Sequence, residues 1–402
     1  MPIDEWLFLA LVALLPVMQP FNLEFGRYVL PPADFVFIVL GVAFTWAVIR
    51  RRRRVRVTPW CWTLAAYAAA LVVSTAASEN PRASAVKLAG ELYLLGMAFL
   101  TVNYADSMPS LRRALVAWLV GTAATVAAAL TGVLLFYAGR TGANNIFLAT
   151  YGSLPPGPYP RVMGLFLNMN MLCIYLVAGA AILLAMRAAG WIGDRVATPM
   201  LAGVTIAALF TISPGLGGLC LVFGMWGWRA LGARSPAAAT LCAVAGAAGA
   251  IGFLIAITIS PASIQTLAPS SRVLTWTGAW HTFLAHPYLG RGLGLEVADV
   301  RYLNASGSYE MLTDAHNTWL SVMAQNGIVG LMALTLVVVT LARRIRMPDL
   351  GAPSISIVRR GLELALVGGF LYQTLSGSFE NTRHVWVLMA LVDAAQGLAA
   401  EA

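Results

Sequence analysis

Charge is what this sequence has least of. Only 11% of its 402 residues are Asp, Glu, Lys or Arg, where soluble domains carry about 25%. That excludes an ordinary water-soluble globular chain. Cysteine is scarce too. Cys61, Cys173, Cys220 and Cys242 are the four, each inside an apolar run, so neither a disulfide framework nor a zinc site is implied. No internal repeat, nucleotide-binding loop or HExxH-type motif is present, and the predicted outer face has no Asp-x-Asp pair to hold a divalent ion.

What is present is apolar. Hydrophobic residues make up 59% of the chain, and mean hydropathy is +0.77. A bilayer crossing needs about 20 apolar residues. Such runs recur near 5–21, 33–50, 60–77, 87–104, 113–138, 162–186, 199–213, 215–229, 237–259, 316–342, 361–379 and 383–400. The expected fold is all-α, one integral membrane domain over 1–402 with about twelve transmembrane helices. The first run does not read as a cleaved signal peptide, because Asp4 and Glu5 precede it where basic residues are usual. The runs at 199–213 and 215–229 are short and meet at Ser213-Pro214-Gly215, a tight hairpin or re-entrant pair.

Basic residues set the orientation. Arg50, Arg51, Arg52, Arg53, Arg54 and Arg56 form a block that belongs in the cytoplasm. Alternating from there puts seventeen of the 26 Lys and Arg residues on that side, with both termini. The net charge of +9 is therefore mostly topology. It is not a nucleic-acid footprint, and the arginine block suits a stop-transfer anchor near anionic lipid.

Two outer loops are long, at about 139–161 and 260–315, and long loops in compact folds tend to be functional. The second lies between spans nine and ten. It contains SSRVLTWTGAWHTFLAHPYLG, where Trp276, Trp280 and Phe283 are spaced along one helical face and Ser270 or Ser271 could cap. Tryptophans on one side suit a helix lying in the membrane interface. Next comes DAHNTWLSVMAQNGIVG, 314–330. With Asp314 as N-cap, His316 falls in the first turn of the tenth span. At about 100° per residue, Gly327 returns to within about 20° of His316 and Gly330 to about 40° on the other side. Small residues let another helix approach, so this histidine is expected to face the bundle at the outer boundary. Arg272, Arg291 and Arg301 share its loop, while Arg161 and Arg383 open spans on the same side. Arginine forks suit phosphate oxygens. The plainer alternative pairs each arginine with a local acid: Glu296, Asp299, Glu310 or Glu380.

These residues resemble a known family. His316-Asn317, nine residues, then Gly327-Ile328-Val329-Gly330 is similar to the motif of bacterial O-antigen ligases. Arg272-Val273-Leu274-Thr275-Trp276, His286-Pro287-Tyr288-Leu289-Gly290 and Gly292-Leu293-Gly294 resemble the loop that precedes that histidine. Arg161 through Asn168-Met169-Asn170 resembles the family's Arg…Asn-Pro-Asn segment, with Met169 in place of proline. The resemblance covers about 160–395; the first 150 residues match only in hydropathy. One departure is Ser213-Pro214, where the family often carries Ser-Arg. If that arginine touches phosphate, another must substitute here.

The resemblance implies a GT-C-type glycosyltransferase of the bacterial inner membrane, working at the periplasmic face. The donor would be a glycan on undecaprenyl diphosphate, the acceptor a sugar hydroxyl of the lipid A core, the other partners membrane lipids, with no cofactor and no metal. His316 is the expected general base, with Glu310 and Asp314 as alternatives. Arg161, Arg272 and Arg291 are expected to bind the donor diphosphate, with Asn168, Asn170, Asn317, Glu380 and Arg383 supporting. The same superfamily holds O-antigen polymerases, whose acceptor is a second lipid-linked glycan, and these differ little in sequence. A small-anion transporter is a reading from another class. It should carry repeat symmetry and charge near the bilayer midplane, whereas the charges here gather at the outer rim. Glu91 is the exception, with Lys87 one turn earlier as its expected partner.

Overall fold

The computed structural model describes residues 1–21, 23–25, 28–149, 159–232, 234–258, 271–303, 309–345, 353–377 and 382–401. Among them are thirteen α-helices: α1 (Ile3–Leu14), α2 (Pro32–Ile49), α3 (Pro59–Ala76), α4 (Pro81–Tyr104), α5 (Met108–Tyr137), α6 (Met169–Ala188), α7 (Asp194–Leu209), α8 (Leu216–Leu231), α9 (Pro236–Thr258), α10 (Ser271–Ala285), α11 (Thr318–Ile345), α12 (Pro353–Ser376) and α13 (Arg383–Glu401). Two antiparallel hairpins, β1 (Leu23–Phe25) with β2 (Tyr28–Leu30) and β3 (Val300–Leu303) with β4 (Tyr309–Leu312), are the described strands. Every helix except α10 lies on one of the apolar runs. Seven of them (α2, α3, α4, α5, α6, α9 and α11) are long and apolar enough to cross a membrane, and the chain is a multi-pass membrane protein.

Helix starts follow local chemistry. Thr58 before Pro59 accepts from the Cys61 amide at 3.3 Å. Asn80 before Pro81 accepts from Ala83 at 3.1 Å. Asn168 accepts from Asn170 at 2.7 Å. Each pairs a side-chain acceptor with an orphan first-turn donor, and at Pro59 and Pro81 the proline that follows sacrifices no hydrogen bond. The first expected span is corrected. α1 has 12 residues, about 18 Å of helix, against a hydrocarbon thickness near 30 Å. It stops ahead of Pro16, and the chain runs on without helix to Gln19, whose amide donates to the carbonyls of Ile146 (2.9 Å), Gly164 (3.1 Å) and Phe166 (2.9 Å).

α6 is the axis of the bundle. The window of α6 that could span is 89% buried, against 17% for peripheral α9. α12 packs along α6, α8 packs on α9, α3 on α11, and α13 lies against α4 and α12. α8 and α9 meet backbone to backbone at Gly224 and Gly246, where an added Cβ would lie 2.7–2.8 Å from the opposite glycine Cα.

Charged residues sort to the two ends. At one end Arg53 reaches Asp4 (3.5 Å) and Asp106 (3.6 Å), Arg113 reaches Glu5 (3.1 Å), and Arg344 pairs with Asp393. At the other, Arg383 meets Asp34 and Arg291 meets Glu79. The alternation of basic residues along the sequence is the alternation of helix ends in space. Glu91 pairs with Lys87 at 3.6 Å, one turn apart, as the sequence suggested.

Candidate functional site

The helix that follows His316 begins later than its polar lead-in suggested. α11 starts at Thr318, and its cap is Asn317, whose Oδ1 accepts from the amides of Trp319 (3.1 Å) and Leu320 (3.3 Å). Asp314 is therefore not the N-cap, and His316 is not in the first turn. His316 stands two residues outside the helix in the left-handed region, φ +48°, a conformation uncommon for a residue with a Cβ. The His316 side chain is 41% exposed. Asp314 is anchored by the Ser321 hydroxyl, which donates to Oδ1 at 2.9 Å. The second oxygen of that carboxylate sits 3.6 Å from His316 Nδ1.

Gly327 does a different job from the one its helical spacing suggested. The helix breaks at Gly327, with φ +62° and ψ −163°, so no single face joins His316, Gly327 and Gly330. Into the break runs the HPYLGRG segment. Ile328 N–H donates to the Pro287 carbonyl (2.9 Å) and Val329 N–H to that of Tyr288 (3.3 Å). In return, Arg291 N–H donates to Ala324 (3.0 Å) and Gly292 N–H to Gln325 (3.0 Å). A Cβ at Gly327 would strike the Tyr288 carbonyl, and one at Gly290 would strike the Gln325 carbonyl. Both glycines are needed because two backbones touch there. The segment then fixes the site: Val297 and Ala298 donate to the Thr313 carbonyl at 2.9 and 3.2 Å, one residue before Asp314. A small apolar cluster of Ala279, Val297, Ala315 and Ala324, covered by Trp276 and Leu320, welds α10 and this loop to α11.

α10 forms where the spacing placed it, but its aromatics divide. Trp276 packs inward on that cluster, while Trp280 is 46% exposed and lies beside Phe283 with ring centroids 5.5 Å apart. Ser270 lies outside the described residues.

Arg272, in the first turn of α10, brings charge to His316. Burial lowers the His316 pKa first; the Asp314 carboxylate raises it, and the Arg272 guanidinium lowers it. Arg272 in turn is lowered by burial and then by the charge of Arg161. Arg272 is thus within electrostatic reach of both Arg161 and His316, although 155 positions of sequence separate those two. Arg161 is held at the α7–α8 bend: its Nε donates to the Thr211 carbonyl (3.0 Å) and its Nη2 to that of Ile212 (3.2 Å). That bend carries Pro214, so the guanidinium there comes from Arg161. Asn170 accepts from the Ser213 hydroxyl at 2.7 Å, which ties the start of α6 to the same bend.

Other expected site residues are engaged elsewhere. Arg291 donates to Glu79 (2.8 Å) and to the Glu296 carbonyl (2.9 Å), and His286 lies 3.2 Å from the same Glu79 carboxylate. This arginine lowers the Glu79 pKa, mainly through its hydrogen bond. Arg383 grips Asp34 with both ends of its fork, at 2.9 and 3.0 Å, and Tyr93 donates to that carboxylate at 2.6 Å. Glu380 and the side chain of Glu310 lie outside the described residues. Sequence reasoning missed Asp34, Glu79 and Ser321. A lone acid opening an apolar span is the signal that could have found Asp34.

An imidazole held partly neutral, two guanidiniums and a fixed carboxylate can accept a proton beside a gathered anion. Comparison with curated proteins returns no match. Residues 174–335 match the model of the O-antigen ligase family, a stretch that runs from α6 past the break in α11 and takes in Arg272, Asp314, His316, Gly327 and Gly330, while Arg161 lies just before it. Over these residues the chain is similar to the O-antigen ligase family.

Proposed function

We propose that this protein is an O-antigen ligase of GT-C type in the bacterial inner membrane. It moves a glycan from undecaprenyl diphosphate to a sugar hydroxyl of the lipid A core at the periplasmic face. His316 removes the proton of the acceptor hydroxyl. The oxygen attacks the anomeric carbon of the donor sugar, the bond from that carbon to the diphosphate oxygen breaks, and undecaprenyl diphosphate departs with the electron pair. Arg161 and Arg272 neutralise the charge that develops on the leaving diphosphate, the largest electrostatic demand of the step. With guanidiniums supplying the charge, the reading calls on no metal. Asp314 acts through His316, and Asn317 holds the helix start. Asn168 and Asn170 brace the bend that carries Arg161. Arg291, bonded to Glu79, holds the loop in the helix break, and Arg383 braces α13 against α2.

The observation that carries this reading is the convergence of Arg161, Arg272 and His316 on a chain whose 174–335 stretch matches the ligase family. The test is a transfer assay with purified protein and lipid-linked glycan, offered either lipid A core or a second lipid-linked glycan. Product on the core supports the ligase. Chain extension on the second glycan alone replaces it with a polymerase, and no transfer to either overturns both.

A further inference from the structure

A groove of about 1080 Å³ opens between α1 and α5 at the arginine-rich end of the bundle, and neither Arg161, Arg272 nor His316 is in its lining. It exists because α1, at 12 residues, covers only part of the 30-residue α5. Its floor is made of the small side chains of Ala10, Ala13 and Ala117. Its rim carries Trp6, 62% exposed, and Val120, 57% exposed. Small-molecule sites run to about 1,000 Å³, so this space suits an occupant with long hydrocarbon.

The mouth of the groove is cationic. Arg112 and Arg113 line it beside Trp191. Arg113 is compensated by Glu5 at 3.1 Å and bonds Ser110 at 3.0 Å. Arg112 donates to the Trp191 carbonyl (3.3 Å) and lies over the Trp191 ring at 5.6 Å. Neither partner carries a formal charge, so Arg112 keeps its positive charge at the mouth. α5 and α12 both begin here, with Met108 and Ile355 in the lining, and helix starts add partial positive charge. Tryptophans flanking an apolar groove under an arginine mark headgroup depth.

We propose that this groove binds an anionic glycerophospholipid, its phosphate on Arg112 and an acyl chain laid along α1 and α5. A water-soluble anion would have no use for the apolar floor, and a zwitterionic lipid would leave Arg112 with a weaker partner. A second copy of the chain fits poorly: a two-fold contact presents the same patch to itself, which gathers the cationic mouths of both copies in one interface. The inference rests on the chain crossing a membrane and not on its transfer chemistry.

The test is native mass spectrometry of the full chain in detergent, offered phosphatidylglycerol and phosphatidylcholine at equal concentration. The wild type should retain phosphatidylglycerol about fivefold better, the gain one basic residue near an anionic headgroup supplies. Arg112→Gln should bring that ratio to about one, and Arg112→Lys should keep it. Val120→Trp, on an exposed position, should lower retention of both lipids while the melting temperature holds. Equal retention by the wild type, a preference that survives Arg112→Gln, or a dimer that Val120→Trp dissociates would each overturn the proposal.

Discussion

Replacing Gly327 with alanine probes the joint on which the whole site is mounted. Its backbone, at φ +62° and ψ −163°, occupies a region that is essentially glycine-only and costs another residue about 1–3 kcal/mol. The added Cβ also meets the Tyr288 carbonyl. Relief requires the 286–294 segment to move out of the break, and this gives up the bonds from Ile328 to Pro287 and from Val329 to Tyr288. At about 1 kcal/mol for each net hydrogen bond, the sum is about 3–5 kcal/mol, concentrated on one loop.

The loop should therefore leave while the bundle stays folded. The measurement is limited proteolysis of purified protein at Tyr288 and Arg291, read beside the thermal melt and transfer activity. Gly327→Ala should be cut faster in this segment and should lose transfer, because Val297 and Ala298 no longer hold the Thr313 carbonyl that leads into His316. Gly90→Ala is the control. Gly90 lies within α4 with nothing within 4 Å of an added Cβ, so that change should hold or raise stability by about 1 kcal/mol. If Gly327→Ala matches the wild type in cleavage and in transfer, the break is not what positions the site.

Four further outcomes follow from the cluster and the charge sorting. Arg161→Ala and Arg272→Ala should each weaken donor use by about 1.5–3 kcal/mol, the loss of one charged hydrogen-bond partner, with lysine rescuing in part because a point charge is not a fork; full transfer at sub-saturating donor would make both structural. Cysteines placed at Thr141 and Asp299 should react with a membrane-impermeant thiol reagent in spheroplasts, and labelling only after permeabilisation would invert the orientation. His316→Gln should lose transfer by about 10²–10⁴-fold. Because burial and Arg272 hold the His316 pKa below its ordinary value, its neutral, proton-accepting form persists below the usual histidine range, and the acidic limb of the pH–rate profile should lie there. Asp314→Asn removes the influence that raises this pKa, so it should move the limb further down, and an unmoved limb would separate Asp314 from the titration.

The spans were legible because burial in lipid leaves a long one-dimensional signal. Helix starts at Thr58-Pro59 and Asn80-Pro81 carry local cap and proline chemistry, which the hydropathy that placed the spans does not register. The first span misled because hydropathy alone cannot see Pro16 end a helix after 12 residues. The site was legible as a set of residue types and not as a geometry. Treating 314–330 as one uninterrupted helix assigned His316, Gly327 and Gly330 to a shared face, yet a glycine in an apolar run reads the same whether a second helix packs on it or a loop backbone enters there. The information that decides between those outcomes lies at Pro287, Tyr288 and Gly290, some forty positions upstream, in a strip of chain whose Pro287 and Tyr288 carbonyls find their donors across that distance. Its carbonyls need donors, and a helix broken at Gly327 frees the amides of Ile328 and Val329. The two glycine motifs are halves of one joint. Neither half carries its meaning alone, and the histidine acquires its position from the point where they meet.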